Sequence, residues 1–547
     1  MPIQVDETLD TPLTFESQRS FIGADSYSQA RLLPDGVCSD LLNVDLDRTG
    51  IARTRHGLIC MPIIEGTSVV RGLSSYRSST IGPHTIAFKN GNIYRFSSYT
   101  SGWTNLSASV TDPLMPVFTA SVADRLYFVD TSSAGQLKYW QGTSVVTVPT
   151  SGATSAPSGI THLISSNGRL FGVRASEPDT LMVGDFLSAN FNTITNSIRV
   201  GGDGAPITAI CEWTGDRIAV FKENSVYVVS GVTQTSASSF QIEAVDNANG
   251  SISQKATLRV GADIFFASRD GVRTLTRTLQ GSEQAVSVPL SRPVQNLYDL
   301  MDKNTTSEIN GLYYENTVIF TGPTLGDPTR THISIAYDTV KGAFLGEWSG
   351  NFYPYCDALI VDGMTLPIFL SSTLPFTLGG VTNLKAGLAF GDRSGRVYIW
   401  RKGHNFQSGP TSTYQDDIVT TASGGQAIPT RVATKGLTFG EVDNLKIGNS
   451  VECQFYESLA DASLYVKLDD YEFEFLKNIG TGPTPLTLPF SLPKQLGGYE
   501  ARVIASSTDI MSMRQFREII IRVQSDSELL SVRGFMCSAF VQPYVPA

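Results

Sequence analysis

Residues 261–277 read Gly-Ala-Asp-Ile-Phe-Phe-Ala-Ser-Arg-Asp-Gly-Val-Arg-Thr-Leu-Thr-Arg. Successive side chains of an extended chain point to opposite faces. Ile264, Phe266 and Ser268 therefore share one face, and Phe265 and Ala267 share the other. Asp270-Gly271 supplies a turn that accepts positive φ, and residues 272–275 resume the period of two. The stretch predicts a β-hairpin.

The same phrase recurs six times. It is found at 86–88 and 93–96 around Asn90-Gly91, at 126–128 and 137–140, at 170–171 and 181–183, and at 218–221 and 226–229 around Glu223-Asn224. It returns at 318–320 and 333–335, and at 388–390 and 397–400 around Arg393-Ser394-Gly395. The early repeats fall about forty to fifty residues apart, the length of one four-stranded propeller blade. An isolated hairpin is marginal in water, so each must stack on its neighbours to bury its faces. The predicted fold is all-β: a β-propeller of six or seven blades, with one hairpin available to an insertion because the last intervals are long.

The chain has 547 residues, of which 41% are hydrophobic and only 17% charged. That balance supports a sizeable core and excludes a disordered chain. Forty-nine glycines and 26 prolines suit many turns. The formal charge of −10 and the absence of a Lys/Arg block argue against a high-affinity nucleic-acid reader. Six cysteines stand singly, with no Cys-x-x-Cys, and read as buried thiols rather than a zinc site. The N-terminus has neither the basic nor the apolar region of a signal peptide, and no stretch reaches the length of a membrane helix.

Three regions are expected. Residues 1–62 form a polar arm and a lead-in hairpin, with a turn at Asp47-Arg48-Thr49-Gly50, that lends a strand to close the ring. Residues 63–409 hold the propeller with inserted loops, and 293–303 carry the best helical pattern. Residues 410–547 form a separate β platform of the sandwich kind, with strands at 430–439, 450–457, 463–468, 471–475, 516–523 and 531–541. This last region carries 11 basic and 16 acidic residues.

Motifs for chemistry are sparse. Asp45-Leu-Asp47-Arg-Thr49-Gly50 opens like a calcium loop, but His56 stands where the loop needs a bidentate Glu, so a hairpin turn is expected. Ser268-Arg269-Asp270-Gly271 resembles the turns that decorate sialidase propellers, yet it occurs once and a plain turn explains it. The five histidines never fall at metal-ligand spacing, and no nucleophile elbow or phosphate loop is present. No enzyme, metal or cofactor is expected. Alternation in 470–475 places Asp470, Glu472 and Glu474 on one strand face, an acidic wall, with Tyr471, Phe473 and Phe475 behind it. The apolar loop residues Phe369, Leu370 and Phe376 are expected to touch a partner.

The repeats, the lead-in Gly50-Ile-Ala-Arg53-Thr-Arg55-His-Gly57 and the run Arg517-Glu-Ile-Ile-Ile-Arg522-Val together resemble the tail hub or nozzle proteins of short-tailed bacteriophages, the tail tubular protein B or packaged-DNA stabilisation family. Residues 262–275, 160–171 and 207–227 are similar to propeller phrases of that family. The resemblance implies a structural virion protein of the phage tail, assembled in the host cytoplasm. It implies about six copies in a ring below the portal and adaptor, with tail fibre or needle proteins as further partners. Double-stranded genomic DNA would pass the ring and the tip would meet the host envelope. Asp470, Glu472 and Glu474 would then line the channel, repelling phosphates within the roughly 8–10 Å that screening allows at physiological salt. A glycan-binding or sialidase-like propeller on the tail is the alternative, and a cellular propeller scaffold the third reading.

Overall fold

A computed structural model describes residues 13–541 except for several segments, the longest being 361–386, 401–414, 417–424, 480–499 and 506–514. The loop residues Phe369, Leu370 and Phe376 lie outside the described residues.

All seven hairpins are the second and third strands of seven four-stranded meanders, at 70–109, 117–147, 160–199, 207–246, 257–285, 310–347 and 354–400. These are blades 1 to 7 of a β-propeller. The central hairpins are legible because both of their faces are buried. Residues Ile218–Phe221 and Val226–Val229, for example, have almost no exposed surface. Each gap between blades holds its own apolar core. Phe221 and Phe266 meet between blades 4 and 5 at 5.0 Å, while Phe265 and Val272 pack with Val318 and Phe320 between blades 5 and 6. The alternation within Ile264-Phe265-Phe266-Ala267 thus assigns successive side chains to two different neighbours.

Blade 7 takes only three strands from its own stretch of chain. Its fourth is Leu58–Cys60, which pairs antiparallel with Val397–Trp400 so that Ile59 faces Ile399. The first-to-last closure ties the ring shut with a strand whose three residues are all buried.

The sandwich departs from the sequence expectation in its make-up. It is not built from 410–547 alone. One sheet joins Glu500–Ala505, Lys446–Tyr456, Ser531–Val541, Ala52–Thr54 and Val44–Leu46, with Leu13–Arg19 added along Ser531–Val541 and Gln515–Phe516 along Lys446–Tyr456. The polar N-terminal arm therefore contains a strand. The other sheet is the outward continuation of blade 6. The outer strand Ala343–Glu347 pairs with Asp40–Leu42, which carries on through Thr430–Ala433, Ile519–Ser525, Ala462–Leu468 and Glu474–Ile479 to make nine strands. Gly346 allows this continuation: at φ +79° a Cβ there would stand 2.1 Å from the Leu41 carbonyl oxygen. As a result the core between blades 6 and 7, with Leu312, Trp348, Phe390 and Trp400, is one cluster with the sandwich core of Val451, Leu464, Ile521 and Phe535. The helical pattern at 293–303 yields a 3-10 turn, Arg292–Val294, and one α-turn, Gln295–Tyr298.

Candidate functional site

The first strands of the blades line the propeller axis, and the ends at which they begin are stitched together by side chains. Ser74 of blade 1 accepts from Thr119 of blade 2 at 3.2 Å. Phe118 of blade 2 stacks on His162 of blade 3, whose Nε2 donates to the Thr208 carbonyl of blade 4 at 3.0 Å. Gln254, entering blade 5, makes two bonds to the backbone of Ile210. Ser253 donates to the Ile309 carbonyl, and Asn310 of blade 6 reaches the Pro354 carbonyl of blade 7. Arg71 of blade 1 donates to the Tyr355 hydroxyl of blade 7 at 2.9 Å and completes the circuit.

Lys255 crosses this ring. Its Nζ lies 3.4 Å from the Tyr355 ring centroid and donates to the Tyr355 carbonyl at 3.1 Å, spanning from blade 5 to blade 7. Beside it, Arg393 pairs with Glu308 at 2.7 Å, and Tyr353 stacks on His332 with ring centroids 4.1 Å apart. Burial pushes the Tyr353 phenol up to about 12 and raises that of Tyr355 as well. A second latch holds the mouth between blades 1 and 7. The buried Lys89 ammonium donates to the carbonyls of Ile64, Gly66 and Gly395 at 2.8, 2.7 and 2.9 Å. Burial pulls its pKa down and the Asp392 carboxylate opposes that pull.

Two of the histidines make the ring sensitive to acid. Burial lowers the imidazoles of His162 and His332 to about 4, whereas an unfolded histidine takes up its proton near 6.5. Their contribution to stability is therefore complete above pH 6.5 and is lost as pH falls toward 4. We expect the thermal unfolding midpoint to drop over that window, and His162→Gln to flatten the drop. A midpoint that stays level from pH 6.5 to 4.5 in the wild type would remove this role.

The lead-in Gly50–Gly57 contributes a joint rather than a surface. Arg55 is fully buried and uses every N–H of its guanidinium. Nε donates to Asn43 at 3.0 Å, Nη1 to the His56 carbonyl at 3.3 Å and to Asp416 at 2.8 Å, and Nη2 to the Ser349 carbonyl at 2.9 Å and to Asp416 at 2.5 Å. The guanidinium also lies 5.2 Å from the Phe352 ring centroid and 5.9 Å from that of Trp348. One side chain thus ties the N-terminal segment, the end of blade 6 and the strand Gln415–Asp416 together. Sequence reading singled out this motif but not its partner, because Asp416 is 361 residues away.

The predicted acidic wall is not a strand face. Asp469 adopts φ +51° and its carboxylate accepts from the Arg517 and Glu518 amides, both at 2.8 Å. That pins a turn at Asp469-Asp470, so Asp470 and Glu472 are exposed residues ahead of the strand and only Glu474 lies within it, at the start of Glu474–Ile479. The aromatics expected behind the wall face outward instead: Tyr471 is 71% and Phe475 48% exposed. Arg522 lies against the ring of Phe473, 4.0 Å from its centroid.

The remaining motifs are structural. Asp47 caps its own turn, accepting from the Thr49 amide and hydroxyl and the Ile51 amide. Asp270 is taken up by Ser268 and by Arg273, and the Tyr298 hydroxyl donates to the Ser268 carbonyl. All six cysteines are buried thiols. Among the described residues no group of three or more His, Cys, Asp or Glu is placed to hold a metal ion, and no helix is long and apolar enough to cross a membrane.

Fold and joints together define a closed β-propeller continuous with a β-sandwich. No protein-family model and no curated protein matches the chain. Among solved structures it is similar to YCF48 bound to D1 peptide, at 9% identity and TM-score 0.37 over 63% of this chain and 95% of that one. It is also similar to the WD40 β-propeller domain of Doa1, at 9% identity and TM-score 0.38 over 65% of this chain and 100% of that one. The blade assignment itself rests on the strand pairing.

Proposed function

We propose that this protein is a structural subunit of a short-tailed phage tail, a hub or nozzle that forms a ring below the portal and adaptor, retains the genome and then conducts it. The resemblance of the lead-in, the propeller phrases and the C-terminal run supports this reading. The observation that carries it furthest is the joint. Blade 6 runs into the sandwich through one sheet, and the Arg55–Asp416 pair sits where three parts of the chain meet. Such a subunit transmits load between its lobes through paired strands, which suits a conduit under pressure. Double-stranded DNA would pass between subunits, because Lys255 and Tyr355 cross the mouth of the propeller's own axis. Partners in this reading are further copies of the chain, the adaptor, fibre or needle proteins and, transiently, the DNA.

A glycan-active propeller is the second reading, and the residues it would use are Tyr353, Glu308, Arg393 and Arg71. A nucleophilic tyrosine needs a lowered pKa, whereas burial holds Tyr353 protonated. Light scattering of the purified chain, alone and with its neighbouring tail proteins, tests the choice. A mass near six copies is expected. A monomer under both conditions overturns the hub reading, and turnover of a fluorogenic glycoside lost in Tyr353→Phe establishes the second.

A further inference from the structure

A row of arginines and aromatics crosses the outer face of the sandwich half of the nine-stranded sheet. Arg431 pairs with Asp40 at 2.5 Å. Next to it Arg522 lies 4.6 Å from the Tyr465 ring centroid and 4.0 Å from that of Phe473. Tyr465 meets Phe475 edge-on at 5.7 Å. The alternate residues of the same strands, Val432, Leu464, Val466, Ile521 and Val523, fill the core. The row therefore faces away from it. The Arg522 Nε is buried without a hydrogen-bond partner, and Arg431 beside it is a like charge. Two guanidinium groups thus share one described carboxylate, on a bed of half-buried rings.

Arginine with tyrosine and phenylalanine is the composition of interface cores. A half-buried guanidinium whose Nε lacks an acceptor gains from a carboxylate brought by the partner. The same patch carries such groups at its margin, since Asp470 and Glu472 are exposed at the turn leading into Phe473. A surface that holds both halves of a complementary pair can meet a copy of itself. We propose that this face docks on a second copy of the chain, turned face to face, so that Arg522 and Arg431 of one copy meet Asp470 and Glu472 of the other. Nucleic acid is the less suitable occupant, because Asp40, Asp470 and Glu472 around the patch would repel its phosphates. The contact is distinct from the cyclic one that closes a hub ring, and it stands whether or not the chain is a tail protein.

The test is sedimentation of the full chain over a concentration series, using variants whose melting temperatures match the wild type. Wild-type protein should self-associate, less so at high salt. Arg522→Glu should weaken that association by about tenfold or more, and so should Asp470→Arg with Glu472→Arg, since each places like charges opposite one another. Mixing the two variants should restore much of the association, because the reversed position 522 of one copy then faces the reversed positions 470 and 472 of the other while the second half of the contact keeps its native pairs, and only Arg431 of the first copy meets like charge. Arg522→Gln, which removes charge without reversing it, gives an intermediate loss should the reversal unfold the sheet. Association that is absent in the wild type, untouched by Arg522→Glu, or not restored in the mixture overturns the proposal. So does binding of a DNA duplex that Arg522→Glu abolishes. Ring formation with tail partners is scored separately on the same variants, so the hub reading and the face-to-face contact can fail independently.

Discussion

Arg55→Ala is expected to destabilise the protein by about 3–5 kcal/mol, the usual cost of stranding one member of a buried ion pair. The substitution leaves Asp416 charged with only 4% of its side chain exposed, and removes the donors that satisfy Asn43 and the Ser349 carbonyl. It also withdraws a cation from the faces of Phe352 and Trp348. Arg55→Lys keeps the charge but not the planar fork, so it should recover only part of the loss. The double replacement Arg55→Met with Asp416→Leu should recover most of it, since an apolar pair of similar volume needs no partners. Denaturant unfolding of the single and double variants measures the coupling directly. A double replacement that costs as much as the sum of its two single changes would show no coupling, and would mean that packing volume, not the ion pair, holds the joint. Because the joint links blade 6 to the sandwich, limited proteolysis of Arg55→Ala should release the two lobes sooner than in the wild type.

A chain starting at residue 63 is expected not to fold into a stable propeller. The missing segment supplies the fourth strand of blade 7 and four strands of the two sandwich sheets. Leu41, Val44, Leu46, Leu58 and Ile59 are all buried. At about 1.5–3 kcal/mol for each fully buried aliphatic side chain, losing five of them matches the roughly 5–15 kcal/mol by which a native domain exceeds its unfolded state. The truncation also exposes the unpaired edge of Val397–Trp400, a strand with both faces apolar and a ready template for aggregation. Soluble yield and a thermal melt decide the matter. A cooperative melt within a few degrees of the full chain would show that the closing strand is dispensable. Supplying residues 1–62 as a separate peptide should rescue part of the yield if strand closure is the reason for the loss.

How much was legible in the sequence follows from where each strand sits. The middle hairpins of all seven blades are buried on both faces, so their apolar runs and Gly/Asn turns are local signals. The last strand, Ser531–Val541, was legible in the same way. Outer strands such as Gln241–Asp246 are half or fully exposed and carry little apolar pattern, so they are silent in the sequence although they complete their blades. The acidic alternation at 470–475 misled because a period of two describes a strand only if the backbone stays extended, and Asp469 turns it. Propeller class was therefore a property of the sequence alone, set by local hydrophobic pattern and turn chemistry, while the choice between six and seven blades waited on the strand pairing. Closure of the ring by a strand of the lead-in was expected, but tertiary structure alone decided that this strand is Leu58–Cys60, that blade 6 continues into the sandwich, that Arg55 meets Asp416, and that Arg522 shares its face with three aromatic rings. Each of these joins residues far apart in the chain, and their pairing depends on which surfaces remain unburied after the local hairpins have formed.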